Sequence, residues 1–146
     1  MDTILLGQHT AREFIHFWDG VAVTPDHPEW ELGKWISDIP KIVFSNTITH
    51  HQWKNTTILR GSLKEEINHL KKSTGKEMLV YGGAMLASSL IENDLVDEFY
   101  FLVNPVCFSK GLTIFQSVKK TLPLTLIKSH TFGCGNVLLN YKPGKQ

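Results

Sequence analysis

The stretch Glu77–Val106, EMLVYGGAMLASSLIENDLVDEFYFLVNPV, decides how the rest of the chain is read. It opens on a short apolar run, Met78-Leu79-Val80-Tyr81, which breaks into Gly82-Gly83. A helical pattern follows, with Met85, Leu86, Ser89 and Leu90 on one stripe, and a second apolar run, Phe99 to Val103, closes it. Strand, glycine turn, helix and strand in this order predict one βαβ unit. Two glycines between a buried strand and a helix serve a close approach to the backbone, or a conformation that only glycine tolerates. The helix start behind them presents unpaired N–H groups and a positive partial charge, which suits a phosphate. A tight turn with no ligand fits the same residues.

Working outward, Thr3 to Leu6 is a brief apolar strand ending in Gly7, and Thr10 to Trp18 reads as a helix. Thr10 and Glu13 have the form of a capping box, and Asp19-Gly20 reads as the stop. Val21 to Pro40 is expected to be irregular, broken by Pro25 and Pro28, with Trp30 and Trp35 packing it over the core. Lys41 to Phe44 and Thr56 to Leu59 are the next strands. Ser62 caps an amphipathic helix, Leu63 to Lys71, whose core stripe is Leu63, Ile67 and Leu70 and which Ser73-Thr74-Gly75 ends. Leu122 to His130 and Val137 to Tyr141 form a terminal hairpin across Gly133–Asn136. The pattern predicts an α/β fold, a mostly parallel sheet flanked by helices with a C-terminal antiparallel hairpin.

The bulk composition bounds the function. A chain of 146 residues, 42% hydrophobic, suits a single domain spanning 1–146. A net charge of +1 without a basic run excludes a dedicated nucleic-acid surface. Cys107 and Cys134 have neither metal-ligand spacing nor a disulfide framework, so small buried thiols in a reducing compartment are expected. No apolar run has the length to cross a bilayer, and MDTILLGQHTAREF lacks the order of a signal peptide, so the expected location is the cytoplasm.

Three strand ends carry similar chemistry: Gly7-Gln8-His9-Thr10, Ser45-Asn46-Thr47 and Gly82-Gly83-Ala84. In a parallel sheet such loops emerge at one carboxyl edge, where open α/β folds bind ligands. The glycine spacing is neither G-x-G-x-x-G nor a P-loop, so the residues point only to a phosphate-bearing ligand, a dinucleotide among the choices.

Other groupings have ordinary readings. His9, Glu13 and His16 share a helix face, but the same spacing fits a solvated face, and no metal site is expected. His50 and His51 read as polar loop, and the four tryptophans as packing. Asp94, Asp97 and Glu98 read as a structural junction, and Ser88-Ser89 lacks the nucleophile elbow of hydrolases.

The ordered set LLGQHT, KIVFSNT, LRGSLKEEINHLKK, VYGGAMLASSL, LVDEFYFLVNPV and GLTIF resembles the dihydrofolate reductase-like superfamily, and within it the RibD C-terminal domain family. The resemblance runs from Asp2 to about Tyr141. It implies an NADPH-dependent reductase that transfers a hydride to a pterin- or pyrimidine-like small molecule, and a homodimer. It assigns cofactor binding to Gly7, Gln8, His9, Thr10, Ser45, Asn46, Arg60, Gly82, Gly83, Ala84, Met85 and Leu86. The alternative is a catalytically incomplete nucleotide-binding or assembly module of the same fold. The family pattern departs at two points. Gln8 stands where the family usually has arginine, with Arg60 or Lys54 as the candidate to compensate. The family also has a strand ahead of the position of Met1, lying between the strands at Glu77–Tyr81 and Phe99–Val103. That departure implies a fragment, a sheet closed differently, or a gap filled by another protomer, and it names no substrate-side catalytic residue.

Overall fold

In the computed structural model, residues 1–73, 75, 77–81 and 83–144 are described. Thr74 and Gly82, both singled out above, lie outside them. A parallel four-stranded sheet is built from β1 (Thr3–Gly7), β2 (Lys41–Phe44), β3 (Thr56–Leu59) and β4 (Met78–Val80), in the order β3-β2-β1-β4. A second sheet is antiparallel, with β5 (Phe99–Val103), β6 (Leu124–Thr131) and β7 (Val137–Pro143) ordered β5-β7-β6. The helices are α1 (Gln8–Ala22), α2 (Trp30–Asp38), α3 (Leu63–Lys72) and α4 (Ala84–Glu92).

β1 explains the layering. Its side chains alternate between faces, and both faces are covered, as expected of an interior parallel strand. Ile4 and Leu6 join Phe14, Ile15 and Trp18 of α1 in one cluster, whereas Leu5 joins Ile67, Leu86 and Leu90 on the other side. α3 follows its sequence pattern. Ser62 Oγ accepts from Glu65 N at 3.4 Å, Ile67 is buried, and Leu63 and Leu70 pack beside it.

Five expectations of local structure need correction. Gly20 does not end α1, which continues to Ala22 because Trp18 and Val21 remain in the core. Thr10 is inside that helix and Gly7 is its cap, so there is no capping box. The segment expected to be irregular contains α2, which crosses α1 closely at Gly33: a Cβ there would lie 2.5 Å from Val21 Cγ1. On α4 the buried side chains are Leu86, Ser88, Leu90 and Ile91, while Met85 is exposed; the buried stripe is rotated from the expected one. Cys107 and Cys134 are exposed, since one follows β5 in an extended loop and the other sits in the β6–β7 turn.

The Glu77–Val106 stretch does form strand, helix and strand, but not a paired βαβ unit. β4 hydrogen-bonds β1, whereas β5 pairs with β7. Each is the edge of its own sheet. The two halves are joined along α4, where Ser117 N donates to the buried Ser88 Oγ at 2.7 Å and Lys119 N to Glu92 Oε2 at 2.9 Å.

Candidate functional site

The parallel register brings the ends of β1, β2, β3 and β4 to one edge. Gly7 closes β1 with extended backbone, φ −79° and ψ 151°, and α1 begins at the next residue. Gly83 caps α4 with φ +83°, a left-handed conformation that disfavours any side chain. A Cβ on Gly83 would lie 3.2 Å from Thr10 Oγ1 and 3.8 Å from the Gly7 nitrogen. One on Gly7 would lie 3.4 Å from Leu86 Cβ. The two helices therefore start against each other, with little room between them for a further side chain.

Their electrostatics match. Neither α1 nor α4 has an acidic residue in its first turn or a side-chain acceptor at its cap. By contrast, α2 carries Glu31 there, and α3 carries Glu65, Glu66 and the Ser62 cap. First-turn N–H groups have no partner within the helix, and they sit at its positive end. Two such ends converge here without an acid to neutralise them.

A polar network fixes the neighbouring loop. Gln8 Oε1 accepts from Ser45 Oγ at 2.7 Å and from Thr47 Oγ1 at 2.9 Å. Ser45 Oγ in turn accepts from the Thr47 and Ile48 nitrogens at 3.2 and 3.0 Å. Asn46 Oδ1 accepts from Gly61 N at 3.4 Å, and Arg60 Nη2 donates to Ile48 O at 2.5 Å. The carboxamide of Gln8 thus ties the end of β1 to the end of β2.

The structure brings Gly7, Gln8, Thr10, Gly83 and Leu86 into one cluster and links Ser45, Asn46 and Arg60 to it through Gln8 and the 45–48 loop. His9 is exposed beside Gln8, their side-chain nitrogens 3.3 Å apart. Ala84 and Met85 open α4, with the Met85 side chain in solvent and that of Leu86 in the core. Gly82 belongs to this turn in sequence but lies outside the described residues. Lys54 does not reach the site: it precedes β3 at the opposite edge and pairs with Asp38 at 2.7 Å. Thr47 joins from the Ser45-Asn46-Thr47 loop that the sequence singles out, whereas Ile48 takes part through its backbone N and O, for which the sequence carries no signal.

Among the described residues, no three of His, Cys, Asp and Glu cluster as a metal site. The acids after α4 serve separate ion pairs: Asp94 with Lys120, Asp97 with Lys71 and Glu98 with Lys142. Hydrogen bonds from Tyr100, Lys142 and Asn140 hold the Glu98 carboxyl below its usual range. No helix among the described residues is long and apolar enough to cross a membrane.

This parallel sheet flanked by helices, with an antiparallel partner sheet, is a dihydrofolate reductase-like fold. Residues 1–138 match the RibD C-terminal domain, and the chain belongs to that family. The uncharacterized protein YyaP of Bacillus subtilis (strain 168) is 35% identical over 144 residues, 97% of this chain and 73% of YyaP. The solved structure of a Shewanella sp. PV-4 protein named for riboflavin biosynthesis superposes with a TM-score of 0.76 at 22% identity, covering 99% of this chain and 75% of that one. A Thermotoga maritima diaminohydroxyphosphoribosylaminopyrimidine deaminase/5-amino-6-(5-phosphoribosylamino)uracil reductase gives 0.65 at 17% identity, over 98% of this chain and 45% of that one. At these identities the two superpositions speak for fold alone.

Proposed function

We propose that the chain binds NADPH across the carboxyl edge of its parallel sheet and acts as a reductase on a pterin- or pyrimidine-like ring. One observation supports the cofactor reading: the acid-free N-termini of α1 and α4 meet at Gly7 and Gly83, and paired helix starts of this kind suit a pyrophosphate. The bound cofactor would supply the hydride, and the protein would supply position and electrostatics. Gly83 lets the two helix starts approach, and the first-turn N–H groups of α1 and α4 would donate to the phosphate oxygens. Gln8, locked by Ser45 and Thr47, holds the adjoining loop in shape.

Gln8 offers an amide where an arginine would offer a charge-assisted pair, and Arg60 already donates to Ile48 O. Preference for NADPH over NADH should therefore be weak. Thermal unfolding with each cofactor tests both points. At a hundredfold excess over Kd, a ligand stabilises by about 2.7 kcal/mol, several degrees for a chain of this size. Similar shifts with NADPH and NADH are expected. A cooperatively folded chain that responds to neither would sink the cofactor reading.

A further inference from the structure

Two exposed thiols sit near one end of the antiparallel sheet, Cys107 after β5 and Cys134 in the β6–β7 turn. The β5–β7 register pairs Val103 with Val137. Two steps further it opposes Pro105 to Gly135, and the chains still touch there: a Cβ on Gly135 would lie 3.4 Å from Pro105 Cγ. Cys134 adjoins Gly135 on one side of this contact, and Cys107 follows Pro105 by two residues on the other. Residues opposed across an antiparallel pair have Cα atoms about 5 Å apart, and a disulfide spans up to about 7 Å. Hydrogen bonds fix both backbones where they meet. Val106 N donates to Asn104 O at 2.8 Å in a tight turn at Pro105. Gly135 N donates to Phe132 O, and Phe132 N to Asn136 O, both at 2.9 Å.

Cys107 opens a strap that little else holds. Residues 106–113 are all exposed, with Phe108 and Leu112 at 84% and 87%. Among the described residues, no hydrogen bond ties 107–114 to another element. The chain is anchored again only beyond them, where the Phe115 ring meets Phe101 edge-on at 6.3 Å and Ser117 N donates to Ser88 Oγ. An accessible thiol with a second one beside it is the arrangement that a peroxide converts to a disulfide.

We propose that Cys107 and Cys134 form a reversible disulfide that pins the strap to the β6–β7 turn when a peroxide oxidises them. One thiolate attacks a peroxide oxygen and the O–O bond breaks. A sulfenic acid forms, and the displaced hydroxide takes the thiol's proton and leaves as water. The second thiol attacks that sulfur, the S–O bond breaks, and a second water leaves. Each sulfur gives up one electron, and the peroxide takes both. A dithiol reductant reverses the step by exchange. This proposal does not rest on the cofactor reading.

The test treats the dilute, fully reduced chain with hydrogen peroxide. Peptide mapping should find Cys107 joined to Cys134 within one chain, lighter by two hydrogens. The thermal midpoint should rise by several degrees, because the bond closes the loop 107–134 in the unfolded chain. Hydrogen exchange at 106–113 should slow by about tenfold or more, and dithiothreitol should reverse both changes. Cys107→Ser and Cys134→Ser alter exposed side chains, so each should fold and lose all of these effects. Three results overturn the proposal. Peroxide that leaves the thiols free, or takes them only to sulfinic acid, would place them too far apart. Disulfides that join two chains would give the cysteines to a contact between copies. An internal disulfide that moves neither midpoint nor exchange would remove the strap.

Discussion

The two ends of the parallel sheet have opposite chemistry, although the same strands run between them. At the amino end, Lys41 opens β2 with its side chain buried, and its ammonium donates to Ser37 O at 2.9 Å and Ile39 O at 3.0 Å. Asp19 accepts from Ser37 Oγ at 2.6 Å, and Asp38 pairs with Lys54. Charges and carbonyls there complete one another, and the end is sealed. At the carboxyl end, the network of Gln8, Ser45 and Thr47 is neutral, and two helix N-termini meet with no acid beside them. One end of the sheet satisfies itself, and the other presents two helix N-termini without an acid or a side-chain cap. The contrast also fits the general placement of ligands in parallel α/β sheets.

The largest test breaks the sealed end. Lys41→Ala leaves Ser37 O and Ile39 O without their donor and opens a void, so unfolding in urea should lose about 3 kcal/mol. NADPH affinity should stay within about twofold, because Lys41 lies at the far end of the strand. An equal loss of cofactor affinity would show that the two ends are not independent.

Next comes the open end. Gly83→Ala forces a side chain into φ +83° and toward Thr10 Oγ1, costing about 1–3 kcal/mol of stability. Here NADPH affinity should fall by about tenfold or more, measured by calorimetry on the folded variant. Affinity unchanged in Gly83→Ala would remove the convergence of helix starts from the site.

The carboxyl half of this contrast was legible in the sequence and the amino half was not, for physical reasons. The runs at Lys41–Phe44, Thr56–Leu59 and Phe99–Val103 carry strand patterns, and the strands form there. Parallel order alone placed the Gly7, Ser45 and Gly83 loops on one edge. Helix α2 was hidden because Pro28 and Gly33 are local breakers, while the contact that makes Gly33 useful, with Val21, is tertiary. The bond from Ser45 to Gln8 spans 37 positions and leaves no local signal. For the same reason Lys54 looked close to the site in sequence but lies at the opposite edge. The splitting of the sheet between β4 and β5 depends on β5 choosing β7, which no pattern within β5 reveals.

The smallest effect sharpens the comparison through pH. Burial pushes the Lys41 ammonium below its ordinary 10.5, opposed only in part by the charges of Asp19 and Asp38. The unfolded chain then holds a proton that the native chain has released, over the interval from the native pKa up to 10.5. Stability from this group must rise with pH across that interval, and the cost of the buried charge is fully present below it. Lys41→Met removes the titration while keeping most of the packing volume. The difference in unfolding midpoint between the native chain and Lys41→Met should therefore move in favour of the native chain as pH rises toward 10.5. Parallel pH profiles would mean that water or nearby carboxylates already offset the burial, and the amino end would be less sealed than its hydrogen bonds indicate.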